Sequence, residues 1–194
     1  MSGHGHGHGG HDDHSDPRNK KIALFISVIA LFLAFSETLG KSAQTNAISF
    51  NVEASNLWAF FQAKTIRITT LRTAADQSKI DLAQAAEPQK AAIAKQIDQW
   101  LKTAGRYEDE ADPPEGRKQL MARAKDAEHR RDTAMARYHH YEVASAAFQI
   151  AIVLCSAAII TGMMVLTWIA AGLTVAGAVF TGIGFWAPHA VHLI

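Results

Sequence analysis

Residues 144–187 read ASAAFQIAIVLCSAAIITGMMVLTWIAAGLTVAGAVFTGIGFWA and contain no Asp, Glu, Lys, Arg or His. An α-helix rises about 1.5 Å per residue, so about 20 apolar residues cross the hydrocarbon layer of a membrane. The block is about twice that length, and two helices must share it. We predict the turn between them at 167–172, because Trp168 suits the membrane interface and Gly172 permits a sharp turn. The two transmembrane helices and the tail after them are predicted at 142–166, 170–187 and 188–194.

A third apolar segment, residues 22–40, lies near the N-terminus. Its length is that of one transmembrane helix, which we predict over residues 20–41. The basic residues before it would also suit a cleaved secretory signal, but no small-residue cleavage site follows, because Lys41 precedes Ala43. An uncleaved transmembrane helix is the favoured interpretation, and removal as a signal is the alternative.

The region between residues 44 and 142 is rich in charge but nearly balanced, with 15 Lys and Arg against 14 Asp and Glu. A balanced surface produces no sustained positive field, so nucleic acid is not expected as a partner. The single cysteine, Cys155, cannot form a disulfide within one chain. Residues 42–86 contain no Pro or Gly, so the first transmembrane helix can continue into water without a break.

Two stretches of the middle region repeat apolar and small residues at alternating steps of four and three. This spacing is typical of helices that pack lengthwise on a partner. We therefore predict an all-α integral membrane protein with three transmembrane helices and an antiparallel, coiled-coil-like stalk over 42–141, capped near 88–116. Partial disorder of this alanine-rich region is the alternative. The two predicted seams are Leu57, Phe61, Lys64, Ile68, Leu71, Ala75, Ser78 and Leu82, and Leu120, Ala124, Ala127, Arg131, Ala134, Tyr138, Tyr141, Ser145, Phe148 and Ile152.

Three stretches of the chain are similar to a known protein family: NVEASNLWAFFQAK at 51–64, RYEDEADPPEGRK at 106–118 and FQIAIVLCSAAIIT at 148–161. In these stretches the chain resembles a bacterial membrane-protein family that is catalogued as a domain of unknown function. The resemblance covers most of the chain after the N-terminal tail. It implies a multi-pass inner-membrane protein with three spans and a helical middle region, and it implies no reaction, cofactor or catalytic residue.

The charges that flank the first span predict its orientation. Arg18, Lys20 and Lys21 precede this span, whereas Lys41 stands alone just after it. By the positive-inside rule, this asymmetry favours a cytoplasmic N-terminus, with the middle region and the C-terminus in the periplasm. Basic residues before the second span favour the opposite orientation, but they belong to a long loop, where the rule counts less.

The N-terminal tail, residues 1–19, contains histidines interleaved with glycine, together with Asp12 and Asp13. Imidazole and carboxylate groups suit zinc, nickel or copper, although a glycine-rich backbone presets no ligand geometry. Weak metal binding and a merely solvated, disordered tail are the alternatives, and a purification tag is a further one. The candidate metal ligands are His4, His6, His8, His11 and His14.

Two sets of residues are candidates for contacts with a partner. Just beyond the first span, amides, a carboxylate and large rings occur where a plain stalk needs only a packing seam, which indicates either a docking surface or internal packing. In the third span, small residues four apart are predicted to form a helix contact, within the hairpin against Ala158 and Gly162 or between subunits. The two sets are Asn51, Glu53, Asn56, Trp58 and Phe61, and Thr174, Ala178 and Gly182.

Glu37 is the only carboxylate associated with a span. An acid inside a membrane can bind a proton or a cation, but Lys41 lies one helical turn away, so an ion pair between them is the favoured interpretation. The sequence contains no recognisable catalytic or phosphate-binding motif. We therefore expect a non-enzymatic scaffold or accessory subunit without a cofactor, which forms a homo-oligomer or joins a larger membrane complex in the lipid bilayer. An oligomeric channel or transporter component and a metal-handling membrane protein are the alternatives.

Overall fold

A computed structural model describes residues 17–110 and 113–191. All regular secondary structure in these residues is helical, which confirms the all-α class. Tertiary contacts divide the chain into a terminal unit, which joins the residues up to Gly40 with those from His139 onward, and a middle unit between them. The helices are α1 (Pro17–Gln84), α2 (Gln89–Glu108), α3 (Arg117–Thr161) and α4 (Met164–Trp186).

Helix α1 is continuous over 68 residues. Its only glycine, Gly40, lies where α1 approaches α3, since a Cβ built there would be 3.4 Å from the Cβ of Tyr141. The helix ends at Gln84, just before Glu87 and Pro88. Proline restricts the residue before it and cannot donate a helical hydrogen bond, so the sequence ends the helix here.

The buried face of α1 follows alternating steps of four and three residues in both units. This average period of 3.5 keeps one side of a gently supercoiled helix against its partners. All residues of the predicted seam between Leu57 and Leu82 belong to this face and are buried or half-buried. The face consists of Ile22, Ile26, Ile29, Leu33, Ser36, Gly40, Ala43, Ala47, Phe50, Ala54, Leu57, Phe61, Lys64, Ile68, Leu71, Ala75, Ser78 and Leu82.

The terminal unit contains the first part of α1, the second part of α3 and all of α4. Each of these helices has a stretch that is long and apolar enough to cross a membrane. Their core is centred on the ring of Phe148, which is fully buried and stacks on Phe32 at a centroid distance of 6.0 Å. Ile29, Cys155 and Ala170 complete the inner part of this cluster.

The turn between α3 and α4 lies at Gly162 and Met163, so its predicted position at 167–172 is wrong. Gly162 has a φ of 73°, a left-handed conformation that glycine adopts without a steric penalty. Gly172 and the 76% exposed Trp168 lie within α4 instead. As a result, the second apolar helix ends at Thr161, before residue 166, and the third begins at Met164, before residue 170.

Contacts in the terminal unit show that neighbouring helices run in opposite directions. The Ser36 hydroxyl of α1 donates to the Tyr141 carbonyl of α3, while Phe32 contacts Phe148. Along α4, Gly177 lies against Phe148 and Gly184 against Tyr141. Residue numbers therefore rise along one helix as they fall along its neighbour, which places the last turn of α4 beside the part of α3 that follows His139.

The middle unit contains the remainder of α1, all of α2 and the first part of α3. Its core cluster joins Ala54 and Leu57 of α1 to Leu120, Ala124 and Ala127 of α3. Helix α2 occupies Gln89–Glu108 and buries Ile97 and Ala104. It contacts a later part of α1, where the ammonium group of Lys64 lies 4.6 Å from the ring centroid of Tyr107.

Candidate functional site

The stretch of α1 that begins at Asn51 is the sequence-predicted site, and the structure pairs several of its side chains with α3. The Trp58 Nε1 donates to Glu128 Oε1 at 2.9 Å. Arg130 Nη2 donates to Glu53 Oε1 at 3.2 Å. Arg131 Nη1 donates to Asn51 Oδ1 at 3.5 Å. These polar contacts support the internal-packing interpretation for Asn51 and Trp58.

Phe61 also belongs to this internal contact. Its half-buried ring meets Trp58 edge-on at a centroid distance of 5.3 Å, a favourable geometry for aromatic pairs. The guanidinium carbon of Arg117 lies 5.7 Å from the same ring centroid, within the range of a cation–π interaction. The large rings of the predicted site therefore hold α1 and α3 together.

A groove of about 480 Å³ opens beside this contact, and we name it the α1–α3 groove. Two of its apolar side chains, Val52 and Phe60, are 53% and 60% exposed. Asn56 and Glu53 of the predicted site also line it, so these two residues face the groove. The lining comprises Ser49, Val52, Glu53, Asn56, Leu57, Phe60, Glu115, Leu120 and Arg123.

The α3 side of the groove was not predicted from the sequence. Glu115 and Arg123 also line the groove. They are far in sequence from the α1 residues that line it, so no local pattern indicates that they meet α1. Arg123 Nη1 donates to the Pro114 carbonyl at 3.5 Å, which ties this side chain to the turn before α3. The groove thus combines exposed apolar groups with an amide and both signs of charge.

A group of ion pairs lies where α2 is joined to α3. Lys64 is 8% exposed, and its Nζ is 3.2 Å from Glu110 Oε2. The Glu108 Oε1 accepts from Arg117 Nη2 at 2.6 Å, and its Oε2 is 3.6 Å from Arg72 Nη2. A buried lysine is tolerated when a carboxylate is paired with it. The ion pairs of this group connect Glu108 and Glu110 to basic side chains of α1 and α3.

Asp109 joins the end of α2 to the first turn of α3. Hydrogen bonds from Gln119 and Lys118, together with the charge of Lys118, hold the pKa of the Asp109 carboxyl below its ordinary value. The neighbouring Gly116 donates its N–H to the Glu110 carbonyl at 3.2 Å. A Cβ at Gly116 would overlap the backbone of Glu110, so glycine is required for this close approach.

A polar contact in the terminal unit joins α1 to α3. Gln149 Nε2 donates to Glu37 Oε1 at 3.2 Å, and both side chains are exposed. Glu37 therefore has an amide partner on α3, and the predicted ion pair with Lys41 stays a prediction. The pairing reflects the approach of α1 to α3, which spacing within one helix cannot indicate.

His140 is a buried polar residue of α3. Its Nε2 lies 3.0 Å from the Pro188 carbonyl oxygen, and its ring stacks on Phe180 at a centroid distance of 6.2 Å. The side chain thus links α3 to the residues after α4. No local sequence pattern indicates this contact, because His140 and Pro188 are distant in sequence and come together only in the fold.

The structure places the contact between α3 and α4 on a different face of α4 from the predicted one. Ala178 is exposed, and a Cβ on Gly182 would meet only Trp186 of its own helix. Thr174 is half-buried and donates its hydroxyl to the Ala170 carbonyl. The hairpin interpretation is therefore wrong for Ala178 and Gly182, because Gly177 and Gly184 supply the close approach, and for the half-buried Thr174 it stays a prediction. The role of all three residues between subunits stays a prediction.

Residues 17–110 and 113–191 contain no group of three His, Cys, Asp or Glu side chains placed to hold a metal ion. The candidate tail ligands, His4, His6, His8, His11 and His14, lie outside the described residues. Metal binding by the tail stays a prediction, which is contradicted if deletion of residues 2–15 leaves zinc binding unchanged.

Comparison with known proteins gives one match. A family model described as a domain of unknown function, DUF4337, matches residues 18–187. No curated protein and no solved structure matches the chain. The matched range includes all four helices apart from the first residue of α1.

Proposed function

Because the chain belongs to the DUF4337 family, a domain of unknown function, we propose a role from its own geometry: a non-enzymatic, membrane-anchored helical scaffold or accessory subunit. The terminal unit supplies the anchor, and the middle unit supplies a surface that docks protein. The observation that carries the docking role is the α1–α3 groove, where the apolar side chains of Val52 and Phe60 are exposed.

Membrane anchoring is supported by the outward faces of the terminal unit. Leu31 and Ile160 are 71% and 85% exposed, a cost in water that disappears in lipid. Serine and threonine hydroxyls on the same helices donate to their own backbone, as Ser156 does to the Ile152 carbonyl. This satisfies polar hydrogens where no water is available.

The proposed setting is a bacterial inner membrane with the N-terminus in the cytoplasm. Arg18, Lys20 and Lys21 at the start of α1 favour this orientation. The middle unit then acts in the periplasm as an antiparallel, coiled-coil-like stalk. The 4–3 spacing of its buried residues and the reversed order of its α1–α3 contacts support this arrangement.

The docking role predicts that a protein covers the groove in the native membrane. A photoreactive phenylalanine analogue at Phe60 tests this in the full chain, with the analogue at Leu101, an exposed residue of α2 outside the groove, as control. We expect an adduct at Phe60, identified by mass spectrometry, that is lost on Val52→Glu. Absence of an adduct at Phe60, or an equal one at Leu101, would contradict docking at this groove.

A channel component is the second candidate, and the exposed Glu37–Gln149 pair favours it. Several copies arranged around this pair would line a pore with a carboxylate and an amide. The purified protein would then conduct ions across planar bilayers, and Glu37→Gln would reduce the preference for cations. A protein that carries no current under these conditions is not a channel.

A further inference from the structure

The part of α1 in the middle unit has a second set of regularly spaced residues, which we name the outer row. It lies on the opposite side from the buried face and uses the same alternating steps of four and three. All its members are exposed. The outer row consists of Ser42, Thr45, Ser49, Val52, Asn56, Ala59, Ala63, Ile66, Thr70, Thr73, Gln77 and Ile80.

The outer row contains no charged residue. Outward positions of a helix in water are normally its most charged ones. Here every charged residue between Ser42 and Gln84 lies outside the row, although the row covers the most exposed side of α1. The excluded charges are Glu53, Lys64, Arg67, Arg72, Asp76, Lys79 and Asp81.

The side chains of the outer row are suited to contact with another helix. Val52, Ile66 and Ile80 expose 53%, 66% and 56% of their surface. The hydroxyl of Thr45 donates to the Lys41 carbonyl at 2.9 Å, and that of Thr70 donates to the Ile66 carbonyl at 3.0 Å. These hydroxyl hydrogens are satisfied within α1, so the threonines lose no hydrogen-bond donor when a partner covers them.

We propose that the outer row pairs α1 with α1 of a second copy of this chain, parallel and in register. Such pairing sets each residue against its own duplicate, so any charge in the row would face a like charge. A foreign partner could offer a complementary charge, and the complete exclusion of charge therefore favours a second copy. Two copies inserted in one membrane share the same orientation, which makes their α1 helices parallel.

The polar members of the row can pair with their own duplicates. An amide is both donor and acceptor, so Asn56 of one copy can hydrogen-bond to Asn56 of the other. A single asparagine in such a seam fixes register and favours two strands. The period of 3.5 residues predicts a left-handed supercoil between the copies.

This pairing rests on the proposed function, because the membrane anchor sets the parallel orientation and the row shares Ser49, Val52 and Asn56 with the α1–α3 groove. The pairing identifies a second copy of the chain as the partner of the residues that the row shares with the groove. Thr70 and Thr73 lie in the row but do not line the groove, so they test the pairing separately.

Disulfide formation in native membranes tests the pairing. Cys155, the only cysteine, is first replaced by alanine, and single cysteines are then introduced as Thr70→Cys or Thr73→Cys. The control is Lys79→Cys, an exposed position of the same helix that lies off the row. Disulfides need Cα atoms within about 7 Å, so mild oxidation should link the chains at Thr70 and Thr73 but not at Lys79.

A charge variant provides a second measurement. Thr70→Glu would set two carboxylates face to face, and we expect the detergent-solubilised protein to shift from the mass of a dimer to that of a monomer. Thr69→Glu adds the same charge one residue away, off the row, and should keep the dimer mass.

The outcomes separate the pairing from the docking role. Absence of disulfides at Thr70 and Thr73, or equal disulfides at Lys79, overturns the pairing. If Phe60 still forms its adduct with a foreign protein, the docking role survives that result. If neither experiment links any chain, both proposals fail.

Discussion

Side-chain size at two positions controls how closely α3 and α4 approach. Gly177 lies against the ring of Phe148, and Gly184 lies against His140 and Tyr141. Lipid is as apolar as the helix surfaces, so association in a membrane depends on close packing more than on hiding apolar area. These two glycines therefore matter more to the terminal unit than the other small residues of α4.

Gly177→Ala should destabilise the terminal unit by about 1–3 kcal/mol, the usual cost of overpacking. The new Cβ would lie 2.8 Å from Phe148 Cε1, and this ring is fully buried and cannot move aside freely. Gly172→Ala is the matched control, because a Cβ there meets nothing within 4 Å. Thermal unfolding in detergent measures both. Equal midpoints for the two variants would contradict the close contact.

The Glu37–Gln149 pair should be coupled by about 0.6 kcal/mol, the average measured for hydrogen bonds between membrane helices, whose largest value is about 1.7 kcal/mol. A double-mutant cycle of Glu37→Leu and Gln149→Leu, followed by unfolding in detergent, gives this coupling. Ser156→Ala serves as a control, because this exposed serine bonds only to its own helix. Additive effects of the two leucine substitutions would show that the hydrogen bond contributes nothing.

At the scale of elements, side-chain contacts connect the end of α2 to α1 and α3. Glu108, Asp109 and Glu110 each accept from a basic or amide side chain on α1 or α3. Gly116 brings the two ends of the turn between α2 and α3 into contact. The three consecutive acidic residues thus attach the end of α2 to its neighbouring helices α1 and α3.

The pH dependence of this turn follows from Asp109. Its pKa is lowered in the folded protein, chiefly by the hydrogen bond from Gln119 and then by Lys118. The contribution of Asp109 to folding is therefore present above its unfolded pKa and is lost as the pH falls through the lowered value. Gln119→Leu should raise the pKa of Asp109 more than Lys118→Met does, as measured by carboxyl-carbon NMR. An unchanged pKa in both variants would contradict this.

The sequence predicted the elements better than their connections. Apolar length predicted the three helices that are long and apolar enough to cross a membrane, and the 4–3 spacing predicted which residues of α1 are buried, because both signals are local. The turn was misplaced because Gly162 and Gly172 look alike in an apolar block, and only the fold shows which one takes a positive φ. The Glu37–Gln149 pair was missed because its members lie on different helices.

At the scale of the whole molecule, the terminal unit and the middle unit use α1 and α3 in different ways. In the terminal unit these helices are covered by apolar residues, and in the middle unit they carry 12 Lys and Arg against 6 Asp and Glu. One pair of continuous helices thus has an apolar part in the terminal unit and a charged part in the middle unit. The candidate site could be predicted only on its α1 side, because Glu115 and Arg123 are brought to the groove by the fold.

Cysteine accessibility in intact and lysed spheroplasts tests the three-span anchor most directly. In a Cys155→Ala background, single cysteines replace exposed residues of the middle unit, the α3–α4 turn and the segment after α4, namely Asp81, Met163 and Val191. An impermeant reagent should label Asp81→Cys and Val191→Cys in intact spheroplasts and Met163→Cys only after lysis. Labelling of all three positions from the same side would contradict a three-span protein, and the reverse pattern would place the middle unit in the cytoplasm.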